Sequence, residues 1–168
     1  MKANDNRGVE TDTAAGTFDL GQFLPYRLSV ATSQVSKLFA RHFAERFELT
    51  ISEWRILAVL GRVGTCSPTA VGEAAAMDKV KVSRATAAMV DRGLLRQSAD
   101  PNDGRGRLLR LTRKGAALHG RAVPVALELE AAIAAGMTRG EWAALDKTLV
   151  RLTEHARTVE GPGGTAAL

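Results

Sequence analysis

The sequence predicts a mainly α-helical fold with one small β-hairpin, and three observations carry that expectation. Apolar residues recur at helical spacing over most of the chain. Alanine is plentiful while aromatic residues make up only 5%, a balance that suits packed helices better than a sheet sandwich. One stretch dense in turn formers, Asp100-Pro-Asn-Asp-Gly-Arg-Gly106, separates two short strand-like segments. At 168 residues the chain has room for one domain, or one domain with a dimerisation element.

Residues 1–17 are rich in Asn, Asp, Thr and Gly and read as a disordered arm. From Leu20 to Phe47 the positions Leu24, Leu28, Val35, Leu38, Phe39 and Phe43 fall at roughly helical spacing. Pro25 fits only near that helix's start, because proline lacks the N–H an interior turn needs. Leu49-Thr-Ile-Ser52 breaks the pattern, and Ser52 is expected to cap the next helix. That helix carries Trp54, Ile56, Leu57, Val59 and Leu60 and ends at Gly61 or Gly64. Ser67-Pro68 then opens a short helix from Thr69 to Met77, with serine as N-cap and proline where its missing N–H costs nothing. Asp78 caps a further helix, Lys79 to Arg92, which stops at Gly93. Two short helices with a tight break between them are the requirement of a helix-turn-helix.

After Gly93 the segments Leu94–Gln97 and Leu108–Leu111 read as strands around the charged turn. Thr112 caps a long helix through about Ala135, in which Pro124 predicts a kink or a break. Thr138, with Glu141 three residues later, forms a capping box for the last helix. The organisation expected is an arm (1–17), an N-terminal helix (18–48), a helix-turn-helix region with its hairpin (49–112), C-terminal helices (113–158) and a flexible tail (159–168).

The charge is unevenly placed. The chain carries a net +5, yet residues 52–114 hold 12 Lys+Arg against 6 Asp+Glu, leaving the rest of the chain slightly acidic. A concentrated basic excess points to a polyanion, since each neutralised phosphate releases condensed counterions; on charge alone a solvated basic surface fits equally well. In the helix from Lys79, Val82, Ala85 and Met89 fall at i, i+3 and i+7 and face a core, leaving Lys79, Lys81, Ser83, Arg84 and Ala87 outward. Small residues permit close approach to DNA, Ser and Arg reach base edges, and Lys holds phosphates. Ser67 and Thr69 stand at the start of the preceding helix for phosphate contact. The hairpin decides between the two readings: Arg105 and Arg107 flank a glycine-rich tip, suited to the negative potential of a minor groove. Asp103 is placed to orient Arg105 by a paired contact.

These residues resemble the multiple antibiotic resistance regulator (MarR) family of winged helix-turn-helix proteins. Asp100-Pro-Asn-Asp-Gly-Arg-Gly-Arg-Leu-Leu-Arg-Leu-Thr-Arg-Lys-Gly115 is similar to its wing signature, Asp78-Lys-Val-Lys-Val-Ser-Arg84 to the start of its recognition helix, and Asp91-Arg-Gly-Leu-Leu95 to the passage into the wing. Leu49-Thr-Ile-Ser-Glu-Trp-Arg-Ile-Leu57 and Met137-Thr-Arg-Gly-Glu-Trp-Ala-Ala-Leu145 fit as well, so the likeness spans about residues 20–157. Gly104 departs from it, standing where the family often has a second basic residue; this leaves Arg105 as the expected minor-groove finger. The resemblance implies a homodimer built from the first and last two helices, reading a pseudo-palindromic double-stranded operator. It also implies a repressor released by a small molecule bound between the dimerisation helices and the DNA-binding core. The expected effector is an aromatic acid or its CoA thioester. The candidate pocket residues are Ser33, Ser36, Lys37, Arg41, His42, Trp54 and Arg55, with Trp54 as an aromatic wall and the cations to meet a carboxylate.

Other classes fit less of the chain. Cys66 alone permits no internal disulfide and, with no signal peptide or apolar run of about 18 residues, points to a cytoplasmic protein that meets no membrane. A redox sensor acting through Cys66 is one alternative reading, and a helical protein-interaction module another, though the latter leaves the basic hairpin unexplained. An enzyme is not expected: His42, His119 and His155 are scattered, and no metal-binding, nucleophile-elbow or phosphate-loop pattern occurs. No cofactor or metal is expected either.

Overall fold

The structure, a computed structural model, describes residues 18–101 and 103–160, without the side chains of residues 104, 105 and 160. The arm expected at 1–17 and nearly all of the tail lie outside the described residues. The chain divides into two compact units, residues 1–38 and 39–168.

In the N-terminal unit a 3-10 turn, Leu20–Gln22, is capped by Asp19, whose Oδ1 accepts from the Gly21 N–H at 2.8 Å. Helix α1 (Leu24–Phe47) follows, with Pro25 in its first turn as the spacing required. Phe18 packs edge-to-face on Phe23 with ring centroids 5.4 Å apart. Phe18, Leu20, Leu24, Tyr26, Val30 and Val35 nonetheless stay exposed.

The second unit contains the last turns of α1, then α2 (Ile51–Val63), β1 (Thr65–Cys66), α3 (Pro68–Ala75), α4 (Lys79–Asp91), β2 (Leu95–Asp100), β3 (Asp103–Leu111), α5 (Arg113–Ala134) and α6 (Arg139–Glu160). Its core collects Phe43, Leu49, Ile56, Leu57, Leu60, Val71, Val82, Met89, Leu94, Leu95 and Leu109, all nearly or wholly buried. Each such side chain contributes about 1.5–3 kcal/mol on burial. Val82, Ala85 and Met89 all face this core, as their spacing predicted.

The α3–α4 break is made by Ala76 in the left-handed region (φ 50°), with Met77 N–H donating to the Gly72 carbonyl at 2.8 Å. Gly72 belongs here because a Cβ would crowd the Met77 carbonyl. Asp78 caps α4 by accepting from the Lys81 N–H, also at 2.8 Å. Beyond α4, Gly93 (φ 67°) turns the chain and Leu94 N–H donates back to the Met89 carbonyl at 2.8 Å. Thr112 then ties the end of the hairpin to its beginning: its N–H donates to Leu94 O at 3.0 Å and its hydroxyl to Gly93 O at 2.7 Å. The same oxygen accepts from the Gly115 N–H to cap α5.

Several expectations are corrected. The cap of α2 is Thr50, not Ser52: Thr50 Oγ1 accepts from Glu53 N–H at 3.2 Å and Glu53 Oε2 accepts from Thr50 N–H at 2.7 Å. This reciprocal box satisfies two terminal donors, which Ser52 cannot do from inside the first turn. The hairpin is part of a three-stranded antiparallel sheet, order β1-β3-β2, because Thr65 and Cys66 pair with Arg110 and Leu109. Its strands also run further towards the tip than the sequence suggested, with an irregularity at Ala99/Asp100. Helix α5 continues through Pro124 as one element. Pro124 and Gly120, the residue whose carbonyl loses its partner, are both exposed, so water can take the freed acceptor.

One polar cluster is buried among these elements. Glu53 is 5% exposed, and its Oε1 accepts from Arg92 Nη1 at 3.3 Å. The same guanidinium donates to the carbonyls of Glu48 at 2.8 Å and Phe47 at 3.4 Å, and Lys114 Nζ donates to the Arg92 carbonyl at 2.8 Å. Arg92 is the C-cap of α4, so this cluster joins the end of α4 to the α1–α2 elbow and to α5. Removing one partner of a buried ion pair strands the other. Arg92→Ala is therefore expected to lower unfolding free energy by about 2–4 kcal/mol. The double variant Arg92→Ala/Glu53→Ala should cost less than the two single changes summed, a cycle readable by urea denaturation.

Candidate nucleic-acid interface

Helices α3 and α4 and the inner face of the β-sheet enclose a groove of about 830 Å³. The residues that reach it follow from local geometry. Helix α4 turns Val82 and Thr86 down towards the floor and leaves Lys79, Ser83 and Ala87 along the wall. In the strands, side chains alternate between faces. Leu95, Gln97 and Ala99 stand opposite Leu111, Leu109 and Arg107 in register. Leu95 and Leu109 are buried in the core, and Gln97 and Arg107, on the same face but further out, line the groove. Thr69 of α3 lines the opposite wall, and Arg157 of α6 also reaches the groove.

Of the residues singled out in the sequence, Thr69, Lys79, Ser83 and Arg107 are brought together here. Ser67 is occupied as the N-cap of α3, its Oγ accepting from Ala70 N–H at 3.2 Å. Lys81 is exposed and pairs with Asp78 at 3.0 Å, and Arg84 is exposed outside the groove lining. Asp103 opens β3. The Arg105 side chain lies outside the described residues, so its predicted pairing with Asp103 does too. Gln97 and Arg157 were not anticipated. The strand alternation that placed Arg107 would have found Gln97, its neighbour on the same face; nothing in the sequence pattern points to Arg157.

The groove lining holds Lys79, Arg107 and Arg157 against Glu73 and Asp78. The backbone N–H of Lys81, and then its ammonium, hold the Asp78 carboxyl below the usual carboxylate range. Its cap is therefore fully formed above that range and is lost as the pH falls through the lowered value. The first turn of α4 thus keeps Lys79 beside a helix N-terminus, where N–H groups point outward. Thr86 Oγ1 is buried in the floor with no hydrogen-bond partner.

The seven residues expected to hold a small molecule are differently placed. Ser33, Ser36 and Lys37 belong to the N-terminal unit and Arg41, His42, Trp54 and Arg55 to the second. Trp54 stacks on Phe43 at 4.5 Å, and Arg55 Nη1 donates to the Ala75 carbonyl at 3.4 Å, at the end of α3. Cys66 is half-buried in β1, and burial pushes its thiol pKa up. A raised pKa reduces the thiolate that oxidants attack. Among the described residues no group of three His, Cys, Asp or Glu is placed to hold a metal, and no helix is long and apolar enough to cross a membrane.

Comparisons with known proteins agree with this architecture. A sequence profile of the MarR family matches residues 47–106. A probable transcriptional regulator from Pseudomonas aeruginosa is similar at 30% identity and a TM-score of 0.68, covering 77% of this chain and 99% of its own. BpsR from Bordetella bronchiseptica, whose DNA binding is regulated by 6-hydroxynicotinic acid, is similar at 27% identity and a TM-score of 0.76, covering 82% and 98%. A MarR variant from E. coli complexed with operator DNA shares the fold at 21% identity and a TM-score of 0.71, covering 77% and 92%. No curated protein sequence matches the chain. From the burial of Cys66, Cys66→Ser is expected to leave DNA binding unchanged, and mild peroxide should alter neither protein's mobility shift; a peroxide effect confined to the cysteine form would show a working thiol sensor.

Proposed function

Because the chain belongs to the MarR family of transcriptional regulators, we propose that it is a homodimeric repressor that holds a pseudo-palindromic operator and lets it go when a small molecule binds. The observation that carries this reading is the groove in which Lys79 and Ser83 of α4 stand across from Thr69 and beside Gln97 and Arg107. Helix α4 is about 20 Å long, and a major groove about 12 Å wide admits it. Ser83 and Arg84 meet base edges, Lys79 and Lys81 meet phosphates, and Arg105, braced by Asp103, enters the adjacent minor groove. Ser67 and Thr69 approach the backbone from α3.

The dimer is supported by α6, which buries none of its residues from Arg139 to Val159 and leaves Leu149, Val150 and Leu152 exposed. Exposed Phe18, Leu20 and Leu24 are further apolar surface for a second copy. Repression is the family's usual outcome. For the effector, regulation of BpsR by 6-hydroxynicotinic acid favours a small aromatic acid, with Ser33, Ser36, Lys37, Arg41, His42, Trp54 and Arg55 as the side chains to test.

Mobility-shift titration against the DNA upstream of its own coding sequence tests the reading. Arg107→Ala and Arg105→Ala are each expected to weaken specific binding by about tenfold or more. Lys79→Ala should weaken all sequences alike and flatten the slope of log K against log salt by about 0.9. Unchanged affinity in all three would overturn the interface. Sedimentation should give twice the 17.9 kDa chain mass, and Leu152→Glu should shift that towards the monomer. A panel of aromatic acids should release the bound DNA.

A further inference from the structure

The outer face of the sheet carries a second cluster of cations, outside the groove assigned to the operator. Arg96 of β2 stands directly opposite Arg110 of β3. Like charges facing each other across an antiparallel pair oppose the pairing, so the fold gains nothing from having both. These two residues alternate with Gln97 and Leu109 and therefore face away from the groove that holds Gln97 and Arg107. They line a pocket of about 750 Å³ with Arg113, at the start of α5, and His119, one and a half turns further along that helix. Leu60 and Ala116 give it an apolar floor. No carboxylate lines it, and among the described residues no ion pair engages Arg96, Arg110 or Arg113.

We propose that this pocket binds a small molecule bearing an oligophosphate. Three arginines lining one concave surface offer the forked donors that phosphate oxygens accept in pairs. Strands β2 and β3 present one face to the α3–α4 groove and the other to this pocket, so the two surfaces share no lining residue. The volume falls within the range of small-molecule sites, and the apolar floor suits a compact body attached to the phosphates. The residues come from β2, β3, α2 and α5, so a ligand here clamps the base of the wing to the two helices beneath it. This assignment is independent of the operator reading.

Tripolyphosphate is the probe, and calorimetric titration of the full chain the measurement. Saturable binding is expected for the parent protein. Arg110→Glu should weaken it by about tenfold or more, the loss of at least one charge-assisted contact. This variant keeps the fold, because Glu opposite Arg96 turns a repulsive pair into an attractive one, and circular dichroism checks it. Arg113→Gln should weaken binding as well, whereas Arg107→Glu, on the opposite face, should leave it intact. Equal binding by parent and Arg110→Glu overturns the proposal. So does loss in Arg107→Glu alone, which assigns tripolyphosphate to the operator groove. If Arg110→Glu weakens only binding to duplexes extended beyond the operator, the arginines serve DNA and the pocket assignment falls.

Discussion

The arrangement of α4 against the rest of the head rests on a single buried carboxylate. Glu53 closes the capping box of α2 with one oxygen and receives Arg92 with the other. Burying a charge is costly unless it is paired and hydrogen-bonded, and both oxygens here are engaged. An apolar pair of similar volume often stabilises a core as well. What an apolar pair lacks is direction. Arg92 spreads its donors over Glu53 and the carbonyls of Phe47 and Glu48, and its own carbonyl takes Lys114. Three stretches distant in sequence, the α1–α2 elbow, the end of α4 and the start of α5, are thereby held together. Glu48 adopts a left-handed conformation (φ 53°) at that elbow, uncommon for a residue with a side chain, and its carbonyl accepts the shortest of the guanidinium's bonds.

The same economy governs the sheet. A period of two divides the wing strands into a face that packs on the core and then extends into the α3–α4 groove, and a face that carries Arg96 and Arg110. Both faces carry arginine, so the charge excess of residues 52–114 is divided between two surfaces. A net-charge count along the chain cannot separate two faces of one strand; the register does.

Much of the fold was legible because local signals agreed with tertiary packing. Asp78, Thr112 and the Thr138–Glu141 box cap their helices as read, and Pro68 sits at the head of α3. The misses have physical reasons. Ser52 and Thr50 are both good caps in isolation, and only the reciprocal carboxylate of Glu53 chooses between them. β1 is two residues long, too short for any periodicity to reveal. Pro124 carries a strong local bias against helix, yet with its unpaired acceptor exposed to water the bias is outweighed by α5 packing through Leu118, Ala122 and Leu129. In the groove, residue type and helical spacing located Lys79 and Ser83, and the glycine-rich turn beside it located Arg107. Gln97 escaped because it carries no charge, and Arg157 because it is brought to the groove from the far end of the chain. Arg92 was read simply as part of a helix terminus; no pattern of spacing discloses that its partner lies 39 residues earlier.

The closure at Thr112 has a mechanical meaning. By binding the carbonyls of Gly93 and Leu94, this residue fastens the two legs of the wing at their root, while the strands beyond Gln97 are exposed on most of their length. The hairpin is therefore a cantilever: rigid where it leaves the core, and progressively free of it outward. Changes in the outer residues alter what the wing touches while leaving the packing beneath undisturbed. Selectivity for a DNA site and stability of the head are, in this architecture, separately adjustable quantities.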